Sequence, residues 1–182
     1  MRIEKVTTIE EMTEAIEALT KVFIKDYPYY SEWIKKNEVQ FSKSEKEIYG
    51  VITNGVRVGY LMIHYSSSKI VKINAIYIFS EYEGKGYASN AFKLILEKLD
   101  EEGYEHVLIQ TRLANRTVVH MFNKLEFVIL GINYHPIEKQ ENWVAIYDLK
   151  GNAEVSNMNK IATEFYPDFR ELTQEKIVDM IR

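Results

Sequence analysis

Ile76-Tyr-Ile-Phe-Ser-Glu-Tyr-Glu-Gly-Lys-Gly-Tyr-Ala88 decides how this chain is read. An apolar β-branched run enters a short turn bearing two glycines, and an amphipathic pattern follows directly. The order is strand, tight turn, helix. A turn of that kind leaves consecutive backbone N–H groups unpaired at a helix N-terminus, which is a ready site for a pyrophosphate. Gly84 and Gly86 supply the backbone freedom the turn needs, and Ala88 keeps the helix start thin. The glycines gain weight from lying between a strand and a helix.

Working outward, Arg2 to Val6 alternates as a first strand. Thr8-Ile-Glu-Glu11 reads as a capping box opening a helix with Met12, Ile16, Leu19 and Phe23 on one face. Asp26-Tyr-Pro-Tyr-Tyr30 ends that helix, and a more polar one carrying Trp33, Ile34 and Val39 starts near Tyr30 or Ser31. Glu47 to Thr53 and Val56 to Tyr65 flank Asn54-Gly55, the strongest short hairpin signal. Ile70 to Ser80 reads as a buried strand. The helix from Tyr87 to Glu102 turns Ala88, Phe92, Ile95 and Leu99 inward, and Gly103 stops it. His106 to Thr111 is the next strand, parallel to its predecessor through a right-handed crossover. Asn115 caps a helix that buries Val118, Met121, Phe122 and Leu125. Phe127 to Tyr134 and Asn142 to Leu149 form a last hairpin. Interleaved strands and helices make a mixed α/β sheet.

Composition narrows the function. In 182 residues the apolar share is 46%, enough for a core, and there is no run of eighteen apolar residues, so no membrane span is expected. The charged start Met-Arg-Ile-Glu-Lys lacks a signal-peptide core. Zero cysteine removes disulfides, thiolate metal sites and a cysteine nucleophile, and no metal is expected. A cytoplasmic location is the default. With a net charge of −4 and no basic run, nucleic-acid binding is not indicated.

The stretch Glu83-Gly-Lys-Gly-Tyr-Ala88 resembles the acyl-CoA pyrophosphate loop of the GNAT acetyltransferases, whose pattern is Gln or Arg, two residues, Gly, one residue, then Gly or Ala. Gly86 and Ala88 fill the small positions, and Glu83 stands where Gln or Arg is usual. A second block, Asn115-Arg-Thr-Val-Val-His-Met-Phe-Asn-Lys-Leu-Glu-Phe127, is similar to the family's helix ending Leu-Tyr-x-Lys-Leu-Gly-Phe. The resemblance covers residues 1 to 150. It implies a mixed, mostly antiparallel sheet with a splayed parallel pair and flanking helices. It also implies an N-acetyltransferase that moves the acetyl group of acetyl-CoA to a primary amine of a small molecule or peptide. The alternative is a non-catalytic acyl-CoA-binding regulatory module.

Carried over residue by residue, the resemblance gives pantetheine contacts to the main chain of Ile76 and Ile78, with the Ile76 N–H as the oxyanion donor. The N–H groups of Glu83, Gly84, Lys85, Gly86, Tyr87 and Ala88 would hold the pyrophosphate, and the Lys85 ammonium either adds to that contact or is a solvated turn lysine. Asn115 would touch the CoA arm as well as cap its helix. Phe122 stands where the family commonly has a tyrosine that protonates the leaving thiolate, a donation phenylalanine cannot make. Glu126 stands where the family usually has glycine, so that helix is expected to end differently. For a general base the candidates are His64, Tyr65, Tyr77, His120 and Tyr134. His120, about 200° from Phe122 around its helix, faces out.

Residues 151–182 lie beyond the resemblance. Met158, Ile161, Ala162 and Phe165 recur at helical spacing, Pro167 interrupts, and Leu172, Ile177, Met180 and Ile181 suggest another helix. The pattern is still apolar at Arg182, with no C-cap. Two docked helices are expected, on this domain or on a second copy in a homodimer. The other reading is a link to further chain.

Overall fold

A computed structural model describes residues 1–26, 28–32, 34–35, 41, 43, 45–135 and 139–181. The expectations for Tyr27, Trp33 and Val39 fall outside them. The chain forms two compact units, one of Met1–Ser68 with Lys72–Lys98 and one of Lys69–Val71 with Leu99–Arg182.

The first unit carries strands β1 (Arg2–Lys5), β2 (Lys46–Thr53), β3 (Val56–Tyr65) and most of β4 (Ile70–Ile78), adjacent in that order. β1 to β3 pair antiparallel, and Thr53 faces Val56 across the two-residue turn. Asn54 and Gly55 have φ of 49° and 76°, the left-handed pair that a type I′ turn demands. Helix α1 (Ile9–Asp26) starts at the expected box: the Glu11 N–H donates to Thr8 Oγ1 at 3.2 Å. Its apolar stripe, with Ala15 and Leu19 fully buried, packs on Ile48, Tyr60, Met62 and Ala75. Residues 30–32 and 34–35 are helical, and Ile34 is buried in the same cluster. The other face, Val51, Val58, Ile76 and Ile78, packs with Tyr87, Ala88 and Ala91 at the start of helix α2 (Tyr87–Glu101).

In the second unit β5 (His106–Arg112), β7 (Gln140–Asp148), β6 (Val128–His135) and β8 (Phe169–Glu171) lie side by side in that order, all antiparallel. The first residues of β4 belong here as well. The Lys69 carbonyl accepts from the N–H groups of Glu105 and His106 at 2.8 and 3.1 Å, so β4 and β5 start at the same end and form the parallel pair. The fold is thus the expected mixed, mostly antiparallel α/β class.

Helix α3 (Arg116–Lys124) buries Val119 and Phe122, while Val118 and Met121 are half-buried, so Val119 takes the inward place expected of Val118. Glu126 corrects a second expectation. Its φ is 64°, so the helix ends on a left-handed residue after all. A side chain there costs about 1–2 kcal/mol, part of which glycine returns as chain entropy. Glu126→Gly is therefore expected to stabilise the protein by about 0.5–1 kcal/mol, raising Tm by about 2 °C in a calorimetric scan. A lowered Tm would contradict the left-handed helix end.

The tail docks within its own unit. Helix α4 (Val155–Phe165) places Met158 and Ala162, followed by Tyr166, against Leu108, Leu130, Val144 and Ile146. Strand β8 follows α4 and adds to β6, an element the sequence pattern did not disclose. Helix α5 (Gln174–Ile181) buries Ile177, and the Arg116 guanidinium donates to the Ile181 carbonyl at 2.8 Å.

Candidate active site

β4 ends at Ile78, two residues earlier than expected, and a 3-10 turn over Ser80–Tyr82 follows. Glu83 is extended, Gly84 and Gly86 have φ of 75° and 77°, and α2 begins at Tyr87. Both glycines are in the left-handed region that L side chains avoid, so the Gly-Lys-Gly spelling is a backbone requirement of this turn. A Cβ added at either would meet nothing within 4 Å, so the glycines are not there to avoid a clash. The space over the loop is open.

The amides explain what that open space is suited to. The first helical bond runs from the Asn90 N–H to the Gly86 carbonyl at 3.1 Å. Among the described residues no backbone acceptor takes the N–H of Gly84, Lys85, Gly86, Tyr87 or Ala88. Glu83 differs, because its N–H donates to the Ser80 carbonyl at 3.3 Å, so it is less free than its neighbours to hold a phosphate. The Glu83 side chain is exposed. Lys85 folds back: its ammonium donates to the Glu81 carbonyl at 3.3 Å and lies 5.4 Å from the Tyr82 ring centre. An incoming phosphate would have to draw Lys85 off those two contacts.

Ile76 and Ile78 lie on the strand that feeds this loop, and their side chains belong to the apolar cluster with Tyr82, Tyr87 and Ala88. The strand's end is held against β3. The Phe79 N–H donates to the Val58 carbonyl at 2.9 Å, and a Cβ on Gly59 would collide with the Tyr77 carbonyl oxygen and come within 2.9 Å of Ile78 Cα. Gly59 thus sets how closely the loop-bearing strand approaches its neighbour. Sequence reading passed over it, because a glycine inside an apolar strand has no local signature.

In the second unit Asn115 caps α3, accepting from the Val118 N–H at 3.3 Å. Phe122 has no exposed surface, and its ring stacks on Phe127 at 5.5 Å.

The base candidates separate. Tyr65 donates to Glu47 at 2.8 Å, which already occupies its hydroxyl. Tyr49 and Lys5 also donate to Glu47; burial pushes that carboxyl up, but the three donors together hold it below the usual range. His64 is pushed down by burial and by the charges of Lys46 and Lys72, which leaves its imidazole neutral near pH 7. It lies six residues along β3 from Val58, about 20 Å from the loop end. The Tyr77 phenol is pushed up by burial and then by Glu83 and Glu81, so it keeps its proton and suits donation better than proton abstraction. His120 faces out as expected, and Tyr134 is 42% exposed. Of the tyrosines between the first helices, Tyr30 packs on Phe23 at 5.2 Å within the core cluster, while Tyr29 is exposed. Among the described residues no helix is long and apolar enough to cross a membrane.

Known proteins share this fold. The model of the acetyltransferase (GNAT) family matches residues 10–127. An uncharacterized N-acetyltransferase of Bacillus subtilis, YdgE, is 26% identical over 149 residues, covering 69% of this chain and 94% of its own. Among solved structures, an aminoglycoside 6′-N-acetyltransferase complexed with coenzyme A superposes with a TM-score of 0.64 at 9% identity, over 85% of this chain and all of its own. A ribosomal-protein alanine N-acetyltransferase from Escherichia coli superposes with a TM-score of 0.64 at 11% identity, over 84% of this chain and 96% of its own. At those identities the solved structures speak for the fold, and the family model, spanning well over half the chain, speaks for descent: this protein belongs to the GNAT family of acetyltransferases.

Proposed function

We propose that the protein is an N-acetyltransferase that moves the acetyl group of acetyl-CoA to a primary amine of a small molecule or peptide. The observation that carries the reading is the left-handed Gly84–Gly86 turn, which presents free amides at the start of α2. Those amides, from Gly84 to Ala88, would take the pyrophosphate, with Glu83 and Lys85 at its edge. The pantetheine would run along the main chain of Ile76 and Ile78. Asn115 would meet the CoA arm, and Phe122, fully buried in this structure, would meet the pantetheine end only where its neighbours draw back as the cofactor enters. Residues 1–150 form the catalytic domain in this reading, and 151–182 are its extension. The cysteine-free composition fits the cytoplasm.

The neutral amine nitrogen attacks the thioester carbonyl carbon, and the oxyanion that forms accepts from the Ile76 N–H. The C–S bond then breaks, and the thiolate leaves with a proton from solvent or a nearby donor. The acceptor nitrogen sheds two protons, the ammonium proton before attack and a second as the tetrahedral intermediate collapses, each to water or to a base reached through water. Phe122 offers no hydroxyl for the leaving group. Phe122→Tyr should therefore keep CoA binding and give turnover equal to or above that of the parent. Thiol release from acetyl-CoA, followed over a panel of amines, tests the function itself. Amine-dependent release supports it. Tight CoA binding with no release above the amine-free rate would favour the regulatory module instead, for which the missing acid at Phe122 speaks.

A further inference from the structure

Arg116 is at the wrong end of one helix and the right end of another. It is the first residue of α3, where the backbone presents unpaired N–H groups and disfavours a cation, and the first turn of α3 holds no acidic residue to offset it. Its guanidinium reaches instead to α5, donating to the Ile181 carbonyl at 2.8 Å. A helix C-terminus is where a cation is favoured. The last turn of α5 holds Asp179 and no basic residue, so Arg116 supplies from α3 the charge that α5 lacks. A residue kept where its own helix disfavours it marks a demand from elsewhere in the fold.

α5 depends on that bond. Its eight residues are too few to persist as a helix in water. Its start is fixed: the Leu172 N–H donates to the Leu130 carbonyl at 3.1 Å, and Thr173 Oγ1 accepts from the Lys176 N–H at 3.3 Å. Ile177, 3% exposed, anchors its middle. Arg116 holds its last turn. We infer that α5 is a strap on the start of α3, with Arg116 as the positioning residue, so that docking of α5 and binding of CoA at the Asn115 turn support each other. The CoA half rests on the acetyltransferase reading; the coupling of α5 to the turn does not.

The connection is short, and all of it lies within the second unit. Arg116 follows Asn115 directly. Asn115 is held on both sides: its N–H donates to the Arg112 carbonyl at 3.0 Å, and its Oδ1 accepts from the Val118 N–H at 3.3 Å. A ligand that meets the Asn115 side chain needs that turn in place. Release of α5 returns the Arg116 charge to the start of α3, where it loosens the first turn. Coupling of this kind is reciprocal. The factor by which docked α5 tightens CoA is the factor by which bound CoA favours docked α5.

Hydrogen exchange and CoA titration on the full chain test this. In the parent, saturating CoA should slow exchange at the amides of Ile177 to Ile181 about fivefold. Arg116→Met should remove that slowing, and Arg116→Lys, which keeps a donor for the one bond, should restore it. Ile177→Ala, which takes away no polar group, should raise the Kd for CoA and the KM for acetyl-CoA by about the same factor with kcat nearly unchanged. It should also quicken exchange at Val118 and Val119. Exchange in α5 that ignores CoA bound to the parent would overturn the strap, as would parental CoA affinity in Ile177→Ala. The parent alone decides where a variant fails to fold. If the parent binds no CoA, the acetyltransferase reading fails, and the strap stands or falls on whether Ile177→Ala quickens Val118 and Val119.

Discussion

Gly86→Asp is expected to remove measurable CoA binding while the protein stays folded. Gly86 has a φ of +77°, and its carbonyl takes the first bond of α2. A Cβ there meets no atom within 4 Å, so the main steric cost is the left-handed backbone, about 1–2 kcal/mol. For a chain of this size that lowers Tm by about 2–8 °C. The effect on the ligand is larger. The carboxylate would stand among the free amides of the turn, accept from them as an N-cap side chain does, and place a negative charge where the pyrophosphate belongs. Loss of those bonds and the added repulsion should weaken CoA by at least about a hundredfold, or about 3 kcal/mol. Calorimetric titration with CoA reads this directly. Gly86→Ala carries the same backbone strain without the charge and should stay within about tenfold of the parent. If the Asp variant binds CoA as the parent does, the phosphate is held elsewhere.

The sequence disclosed features whose cause is local. Asn54-Gly55, the Thr8–Glu11 box, the Asn115 cap and the Gly84–Gly86 turn each depend on a few consecutive residues, and each stands where the pattern put it. What stayed hidden depends on residues far apart in the chain. β8 is three residues long, follows Pro167, and exists because Gly131 lets Arg170 come close; a Cβ at Gly131 would strike the Arg170 carbonyl. Val118 and Val119 exchanged places because the helix phase is set by what α3 packs on, and adjacent valines give no hint of it. The site divides in the same way. The loop was legible, but the Glu83 amide bonded to Ser80 and the Lys85 side chain turned onto Glu81 were not. The bond from Arg116 to the Ile181 carbonyl joins residues far apart in the chain, and neither stretch of sequence carries a sign of it.

Gly59→Ala should destabilise the fold and weaken CoA binding together, and the pairing of the two effects is the point. Gly59 is one residue from Val58, whose carbonyl receives the Phe79 N–H at the mouth of the loop. Even a methyl group would run into the Tyr77 carbonyl and approach Ile78 Cα to 2.9 Å, closer than real Cβ atoms come. Both obstacles involve the backbone of β4, so rotating a side chain offers no escape, and the strand itself must move. Overpacking of this kind costs about 1–3 kcal/mol. The displaced segment holds Ile76 and Ile78, the proposed pantetheine strand, and leads into the amide-bearing turn. A shift of β4 therefore misplaces the cofactor contacts without touching any of them. Gly50→Ala is the matched control, because the nearest atom to a Cβ there is Arg57 Nε at 2.9 Å, the far end of a flexible side chain. Denaturant midpoints and CoA titrations on both variants measure the outcome. Gly50→Ala should lose little in either. If Gly59→Ala lost stability but bound CoA with parental affinity, β4 could move without consequence for the cofactor, and the main chain of Ile76 and Ile78 would be the wrong place for the pantetheine.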